Sequence, residues 1–134
     1  MSSQQELIGK WVEEWNQLVF FQPDDQLSAK TLEETLEPNT TVKLNHDVHD
    51  MKALIEGVQW VRTAMETTLD YNEEIVAWNA PDGLGGSVAH LTKFTSRDKA
   101  SGTVTKKTSL VTTIVKAING KRVVSELIEV EIET

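Results

Sequence analysis

Two side chains of this sequence, His46 and Glu126, offer the chemistry of a base and an acid at positions where the surrounding pattern is apolar. An imidazole titrates near ~6.5, so small changes in its environment make it a proton acceptor near neutral pH. A carboxylic acid held away from water keeps its proton to higher pH, because burial disfavours its charged form. We therefore take His46 as a candidate general base, Glu126 as a candidate proton donor or orienting group, and neighbouring Asp47 as a third candidate catalytic residue.

The position of Glu126 follows from the last hairpin of the chain. Asn119-Gly120 between two long alternating runs predicts a type I′ turn, because both central positions of that turn need a positive φ. A two-residue turn pairs Ile118 with Lys121, and counting back along the strands pairs Thr113 with Glu126. The same count pairs Val115 with Val124, Val111 with Ile128 and Ser109 with Val130. Glu126 is then predicted among core residues, either as an acid or paired with an interior threonine or backbone group.

His46 is predicted to end a short strand. Residues 41–47 alternate in polarity, which places His46 on the same face as Val42 and Leu44 and points it inward. An inward histidine at this point either acts as the base or is hydrogen-bonded as a structural group. The catalytic interpretation requires His46 and Glu126 to converge at the wall or mouth of a pocket.

A metal site is an alternative for the same segment, since imidazole and carboxylate groups are ligands for zinc and iron. The four candidate ligands are His46, Asp47, His49 and Asp50. Their spacing is too local, because the two histidines lie across a strand-to-helix turn and Asp50 is the expected cap of the next helix. We therefore expect no metal site.

Hydrophobic periodicity predicts the elements that position these residues. A first helix is expected from about Gln5 to Phe21, a second after a Ser28 cap and ending at Pro38, and a third after Asp50 with an apolar stripe reaching Leu69. From Tyr71 the period changes to two, which predicts strands near 71–80, 86–96, 103–118 and 121–133. The order α, α, β, α and four β favours an α+β fold with three helices on one face of a curved antiparallel sheet.

Seven further residues are candidates for contact with a ligand: Trp15, Trp60, Trp78, His90, Val111, Thr113 and Ile128. Inward tryptophans at helical spacing are either core residues or the lining of an aromatic pocket. His90 lies on the pocket face or on the opposite face, because the loop from Ser96 to Gly102 allows either register.

The second face of the last hairpin is more apolar than a solvated sheet face. It is predicted to carry Leu110, Ile114, Ile118, Val123 and Leu127 among Thr112, Lys116, Ser125 and Glu129. Because the helices are assigned to the first face, we expect a second copy of the chain to cover this one in a two-fold homodimer.

Composition bounds the possible functions. The 134 residues fit one domain spanning 1–134, and a net charge of −8 disfavours nucleic acid as a partner. The absence of cysteine, of a signal-peptide pattern at the start and of a long apolar run predicts a cytoplasmic protein that does not enter a membrane. Gly83-Leu84-Gly85-Gly86 precedes a strand and lacks the helix that a phosphate-binding loop opens, so we expect no cofactor.

The element order resembles that of the nuclear-transport-factor-2-like (NTF2-like) superfamily, and specifically its SnoaL-like branch. The likeness rests on residues 29–38 before the segment 41–47, and on Asn119-Gly120-Lys121 before the last strand. It implies a cone-like α+β barrel, of the cystatin-like kind, with an apolar pocket. Isomerases of this superfamily carry an acid at the end of the first strand and a tyrosine in the first helix. Here the strand ends in Asn45-His46-Asp47 and the first helix has no tyrosine, which disfavours steroid isomerisation.

The resemblance implies two classes of function. One is a cofactor-independent isomerase, dehydratase or cyclase that acts by acid-base chemistry on a small, apolar, oxygenated substrate such as a polyketide or terpenoid. The other is a non-catalytic ligand-binding or dimerisation module, which would be favoured if tryptophan side chains fill the pocket. The fold alone does not decide between them.

Overall fold

In the computed structural model, which describes residues 6–134, three helices lie against one face of a six-stranded sheet. The helices are α1 (Ile8–Asn16), which continues into a π-helical turn at Gln17–Phe21, α2 (Asp25–Thr35) and α3 (Met51–Ala64). The strands are β1 (Leu36–Leu44), β2 (Asp47–Asp50), β3 (Met65–Asn79), β4 (Gly86–Asp98), β5 (Val104–Ile118) and β6 (Lys121–Glu133). The predicted α+β arrangement of helices on a sheet is confirmed.

The sheet has the strand order β2-β1-β6-β5-β4-β3. Neighbouring strands are antiparallel except β1 and β6, which are parallel. The sequence predicted a purely antiparallel sheet and no strand at β2, which is only four residues long and wholly exposed. We call the side of the sheet that faces the helices the inner face, and the other side the outer face.

The ends of the first two helices differ from the prediction. The predicted start at Gln5 lies outside the described residues. Helix α2 is capped by Asp24, whose Oδ1 accepts from the backbone N–H groups of Gln26 (3.0 Å) and Leu27 (3.1 Å). Ser28 lies inside the helix, where its hydroxyl donates to the carbonyl of Val19 at 2.7 Å, so the predicted Ser28 cap was wrong. The helix ends before β1 instead of at Pro38, because residues from Leu36 onward join the sheet.

Helix α3 begins as predicted and ends earlier. Oδ1 of Asp50 accepts from the backbone N–H of Ala53 at 2.9 Å, which confirms the predicted cap. The helix ends at Ala64, and Met65 and Leu69 belong to β3. Strand β3 has register shifts between Leu69 and Tyr71 and again further along, and such bulges break the alternation that marks a strand in a sequence.

The core lies between the helices and the inner face. Helix α1 and its π-helical turn bury Ile8, Val12, Trp15 and Val19, which recur at three- or four-residue spacing. The sheet contributes Val88, Val115, Val124 and Leu127, all almost fully buried. Each such side chain stabilises the fold by roughly 1.5–3 kcal/mol relative to leaving it exposed.

The last hairpin begins in the predicted register and then departs from it. Asn119 and Gly120 have φ of 53° and 75°, and Ile118 pairs with Lys121, so the predicted turn is confirmed. Val115 pairs with Val124, but the next residue of β5, Ile114, pairs with Glu126. Ser125 is therefore an extra residue in β6, and its hydroxyl donates to the carbonyl of Ile114 at 3.2 Å.

This bulge exchanges the two faces of β6 beyond Val124, because one inserted residue moves every later side chain to the opposite side. The predicted register was wrong from Glu126 onward: Thr113 pairs with Leu127, Val111 with Glu129 and Ser109 with Glu131. Glu126 and Ile128, predicted on the inner face, lie on the outer one. Leu127 and Glu129, predicted on the outer face, lie on the inner one.

The outer face is broadly apolar, as predicted, although with different members in β6. Its exposed or partly exposed apolar residues in the two long strands are Leu110, Ile114 and Ile118 of β5 and Val123, Ile128, Val130 and Ile132 of β6. Among residues 6–134, no helix has the length and apolar character needed to span a bilayer.

Candidate functional site

One row of residues crosses all six strands on the inner face and contains both a glutamate and a histidine. In strand order from β3 to β2 the row is Glu74, His90, Val111, Glu129, Leu44 and Asp47. We call it the cross-strand row. Because neighbouring strands lie about 4.8 Å apart, the Cα atoms of His90 and Glu129 are ~10 Å apart, with Val111 between them.

Glu129 has the most perturbed acid-base chemistry in this row. Burial raises the pKa of its carboxyl group to about 7. The hydroxyl of Ser109 donates to Oε2 at 2.6 Å and acts in the opposite direction, because the bond favours the charged form. The neighbouring carboxylate of Glu131 raises the pKa further, while the ammonium of Lys107, itself 3.4 Å from Glu131, lowers it. Glu129 is thus able to hold or release a proton near neutral pH.

Asn45 fixes the end of β6 that carries Glu129. Its backbone N–H donates to the carbonyl of Glu129 at 2.8 Å. Its side-chain amide bonds to the backbone of Glu131 as a residue of a neighbouring strand would. Oδ1 accepts from the N–H of Glu131 at 2.9 Å, and Nδ2 donates to the carbonyl of Glu131 at 3.3 Å. Asn45 has φ of 56°, a left-handed conformation that asparagine adopts more readily than most residues.

His90 lies on the inner face, which decides the register that the sequence left open. It is 5% exposed, and burial lowers the pKa of its imidazole, so the ring is neutral at neutral pH. Its Nε2 lies 3.2 Å from Nδ2 of Asn16, the last residue of α1. The same Nδ2 atom donates to the carbonyl of Val12 at 3.0 Å.

The structure does not bring His46 and Glu126 together. His46 was predicted to point inward, but β1 ends at Leu44 and His46 lies, exposed, in the two-residue turn before β2. Glu126 lies on the outer face, where its Oε2 is 4.0 Å from Nζ of Lys43 and accepts from the hydroxyl of Thr41 at 3.4 Å. Both predicted placements were wrong, the first because the strand stops at a left-handed asparagine and the second because of the bulge.

The third candidate catalytic residue, Asp47, lies in the cross-strand row at the exposed edge of the sheet, opposite Leu44. Its carboxylate is separated from Glu129 by β1. A catalytic role for Asp47 stays a prediction. Its side chain is exposed, like those of other surface carboxylates.

The residues predicted to contact a ligand separate into three groups. His90, Val111 and Thr113 lie on the inner face, with the hydroxyl of Thr113 fully buried and without a hydrogen-bond partner among the described residues. Trp15 is a core residue whose indole N–H donates to the hydroxyl of Thr35 at 2.8 Å. Trp60, Trp78 and Ile128 face away from the inner face or are exposed, at 64% for Trp60 and 59% for Trp78. The tryptophans therefore do not form one aromatic pocket.

The helices cover the inner face unevenly. Val88, Val115 and Val124 at one end are almost fully buried, whereas Leu44, Val111 and Glu129 of the cross-strand row are only partly buried. Two surface depressions lie away from Val111 and Glu129. One of about 440 Å³ lies beside His49 and Ala53, and one of about 650 Å³ lies between α1 and β3, where Glu74 at the end of the row lines it. Within residues 6–134, no three histidine or acidic side chains converge as metal ligands.

Sequence reasoning missed Glu129, Ser109, Asn16 and Asn45. A signal for Glu129 was available, because Val124 and Leu127 are both apolar at a spacing of three, and strict alternation cannot bury both. A single inserted residue at Ser125 buries both and turns Glu129 inward. Nothing in the local sequence marked Asn16 or Asn45 as contacts of the site.

Comparison with known proteins finds similarity in structure and not in sequence. No family model matches the sequence, and no curated protein matches it. A ketosteroid isomerase-like protein from Erwinia carotovora atroseptica superposes with a TM-score of 0.75 at 14% identity, over 100% of both chains. An NTF2-like protein of unknown function in nutrient uptake from Rhodospirillum rubrum has a TM-score of 0.71 at 16% identity, over 92% of this chain and 97% of that one.

A candidate isomerase of the SnoaL-like family from Agrobacterium tumefaciens is more distant, with a TM-score of 0.54 at 8% identity over 98% of this chain and 99% of that one. At such identities the likeness establishes the fold alone. The chain has the NTF2-like α+β fold, as its sequence predicted.

Proposed function

We propose that this protein is a small cofactor-independent enzyme of the SnoaL-like type that moves a proton on an apolar, oxygenated small molecule. Glu129 replaces Glu126 as the acid-base group. The observation that carries the proposal is the carboxyl group of Glu129, with a pKa of about 7, on a partly uncovered part of the inner face. Isomerisation, dehydration and cyclisation can each use a group that accepts and returns a proton.

The pKa suits both halves of a proton transfer. Near pH 7 a large fraction of Glu129 is ionised and can accept a proton, and a similar fraction is protonated and can return one. The hydrogen bond from Ser109 holds the carboxylate in one orientation, which reduces the loss of side-chain freedom on reaction. Val111 and Leu44 on either side supply an apolar surface for the substrate.

Structural neighbours support the chemical class. Two of the three similar structures carry names of the isomerase kind, and we extend that class to this chain as a proposal. The absence of a tyrosine from residues 8–21 keeps a steroid outside the proposed substrates. Smaller enolisable carbonyl compounds and polyketide-like ketones are the first substrates to test.

A direct test follows exchange of carbon-bound hydrogen for deuterium in D₂O, by NMR, over a panel of cyclic enones and polyketide-like diketones. Glu129→Gln should lower the exchange rate by about 10²- to 10⁴-fold, the usual contribution of a general base. Glu126→Gln, in the same strand and on the outer face, is the matched control and should keep the rate. Full exchange activity in Glu129→Gln, with a substrate that the unmodified protein processes, contradicts the proposal.

The outer face favours assembly as a second function, which is compatible with the first. Leu110 of β5 and Val130 of β6 pair across the strands and are 44% and 55% exposed. Contiguous exposed apolar residues on a sheet mark an interaction surface. We propose that a second copy of the chain covers this face in a homodimer; with an inactive inner face, the protein would be a dimerisation or ligand-binding module.

A further inference from the structure

Helix α3 has an apolar surface on the side that faces away from the core. Its inward side chains Leu54, Ile55 and Val58 pack against the core residues of the inner face. The outward side carries Trp60 and Val61, which are 64% and 38% exposed. A surface helix ordinarily has charged or polar residues there, and neighbouring exposed apolar residues mark an interaction surface.

Gly57 lies on the same outward side, one turn before Val61, and nothing within residues 6–134 accounts for it. Its φ is not positive, and it is exposed in the middle of the helix. A Cβ built on Gly57 would have no heavy atom within 4 Å outside its own stretch of helix. Alanine would therefore fit and would favour the helix, since glycine loses more backbone freedom on folding. The use of glycine here is explained if another backbone approaches this side of the helix closely.

A surface depression of about 440 Å³ lies at the start of the same helix. Its lining residues are Thr41, Val48, His49, Asp50 and Ala53. Ala53 is seven residues before Trp60, so both lie on the same side of α3, two turns or ~10.5 Å apart. Val48, which is 67% exposed, gives the depression an apolar wall. One surface of the molecule thus carries both a projecting side chain and a depression of a size to receive one.

These two features are matched to each other by a two-fold axis at Gly57. In an antiparallel pair of α3 helices that cross at Gly57, a residue three positions after it lies opposite the residue three positions before it. Trp60 of one copy then lies opposite Leu54 of the other, beside Ala53 at the rim of the depression. The same contact occurs twice, which is the isologous arrangement of a two-fold interface.

The charges near this surface are compatible with a second copy of the chain. Lys52 and Glu56 form an ion pair at 3.9 Å, and Arg62 is bonded to Asp25 at 2.8 Å. Two acidic chains can therefore meet here without bringing unpaired negative charges of α3 together. An anionic lipid surface or a nucleic acid would instead be repelled by the net charge of −8.

We propose that the outward side of α3 binds the same surface of a second copy of this chain, with Trp60 of each copy in the depression beside Ala53 of the other. This contact is separate from the outer-face homodimer and independent of the proposed enzymatic function. The two indoles bury roughly 300–500 Å², which places the contact among weak interfaces of less than ~1,200 Å². It forms at high protein concentration, and it links outer-face homodimers into tetramers because each homodimer carries two α3 surfaces.

Cross-linking tests the position of the two-fold axis. The chain has no cysteine, so a single introduced thiol reports one contact. Gly57→Cys places the thiols of two copies at the axis, within the Cα separation of ~4.4–6.8 Å that a disulfide spans. We expect a covalent dimer on oxidation. Gln59→Cys, exposed on the same helix and directed away from the proposed contact, is the matched control and should remain largely monomeric on a denaturing gel. Cross-linking of both variants to the same extent, or of neither, overturns the inference.

Gly57→Ala separates the contact from the stability of the chain, because the two effects have opposite signs. Alanine should raise the melting temperature by roughly 2–6 °C. Its Cβ should hold two helices apart and weaken the association by about 10-fold or more. A variant that gains stability and associates as strongly as the parent protein contradicts the crossing at Gly57.

The association is measured by NMR from micromolar to millimolar protein, in Val130→Lys, which removes the outer-face homodimer. The indole N–H signal of Trp60, assigned by its loss in Trp60→Phe, should shift with concentration. The signal of Trp15, which is buried in the core, is the internal control and should not shift. A Trp60 signal that is independent of concentration shows that this surface has no second copy as its partner and overturns the inference.

Discussion

Ser109 and Glu129 form a cross-strand hydrogen bond on the inner face, with Oγ of Ser109 donating to Oε2 of Glu129 at 2.6 Å. The pair is diagonal in the ladder, since Ser109 is in register with Glu131 and Glu129 with Val111. A neutral hydroxyl stabilises the charged form of a carboxylate less than a cation does. It orients Glu129 without holding its pKa at the ordinary value.

Ser109→Ala should raise the pKa of Glu129 further above 7, because the removed bond favours the charged form. The pH at which half of the catalytic base is ionised should move up with it. Titration of the Glu129 side-chain carboxyl by ¹³C NMR measures the change directly. Thr112→Ala, on the other face of the same strand, is the control, and an equal effect of both variants would contradict the assignment.

Glu129 should make stability depend on pH. Its pKa is raised from 4.5 to about 7 in the folded chain, so the folded state binds the proton more tightly than the unfolded state. The contribution of Glu129 to the free energy of unfolding is fully present below pH 4.5. It is lost as the pH rises from 4.5 to about 7, and it does not return at higher pH. The loss amounts to up to about 3 kcal/mol.

Urea unfolding of Glu129→Gln tests this dependence. The variant cannot ionise, so it should be more stable than the unmodified protein at pH 8 and nearly equal to it at pH 4. Glu126→Gln, in the same strand and on the outer face, is the control, and an equal gain in stability at pH 8 in that variant would show that the effect is not specific to Glu129. Equal stability of Glu129→Gln and the unmodified protein at pH 8 would show that Glu129 is well solvated.

The sequence was sufficient for the order of the helices and long strands and for the turn, since these depend on local patterns. Helix periodicity, the Asp50 cap and the Asn119-Gly120 turn act over a few residues, and the structure contains all three. The element order then allowed few arrangements. The short strand β2 is an exception. It follows the left-handed residue Asn45, and the sequence pattern does not reveal that backbone conformation.

The site was not predictable in the same way, because it depends on the register between strands. One inserted residue, Ser125, decides whether Glu126 or Glu129 faces the helices. Burying both Val124 and Leu127 favours the bulge, but that gain arises from tertiary packing. The contact between Asn16 and His90 joins residues 74 positions apart and follows only once α1 is placed on β4.

Deletion of Ser125 tests the bulge. A chain without it must either restore strict alternation, which exposes Leu127 and turns Glu129 outward, or shift β6 against β1. Exposure of Leu127 alone costs about 1.5–3 kcal/mol, so we expect a clearly lower melting temperature. Ser125→Ala keeps the residue count and should be nearly as stable as the unmodified protein. A deletion variant with unchanged stability and an unchanged Glu129 pKa would contradict the role of the bulge.

Asn45 should hold the end of β6 through its side chain. Asn45→Gly keeps the left-handed backbone but removes both bonds to Glu131, so we expect a loss of about 1–2 kcal/mol and faster hydrogen exchange of the Glu131 amide. Asn45→Asp retains an acceptor for that amide and should protect it better than the glycine variant. Equal amide protection in all three proteins would show that the backbone alone fixes this end.

The outer face should assemble in pairs. Val130 is an exposed apolar residue of the outer face and pairs with Leu110. A lysine at this position would place a charge inside a sheet-to-sheet interface. Sedimentation velocity should show a dimer for the unmodified protein and a monomer for Val130→Lys at the same concentration. Leu7→Lys, at an exposed position before α1, is the control and should remain dimeric. If the unmodified protein is monomeric at micromolar concentration, the proposed homodimer is contradicted.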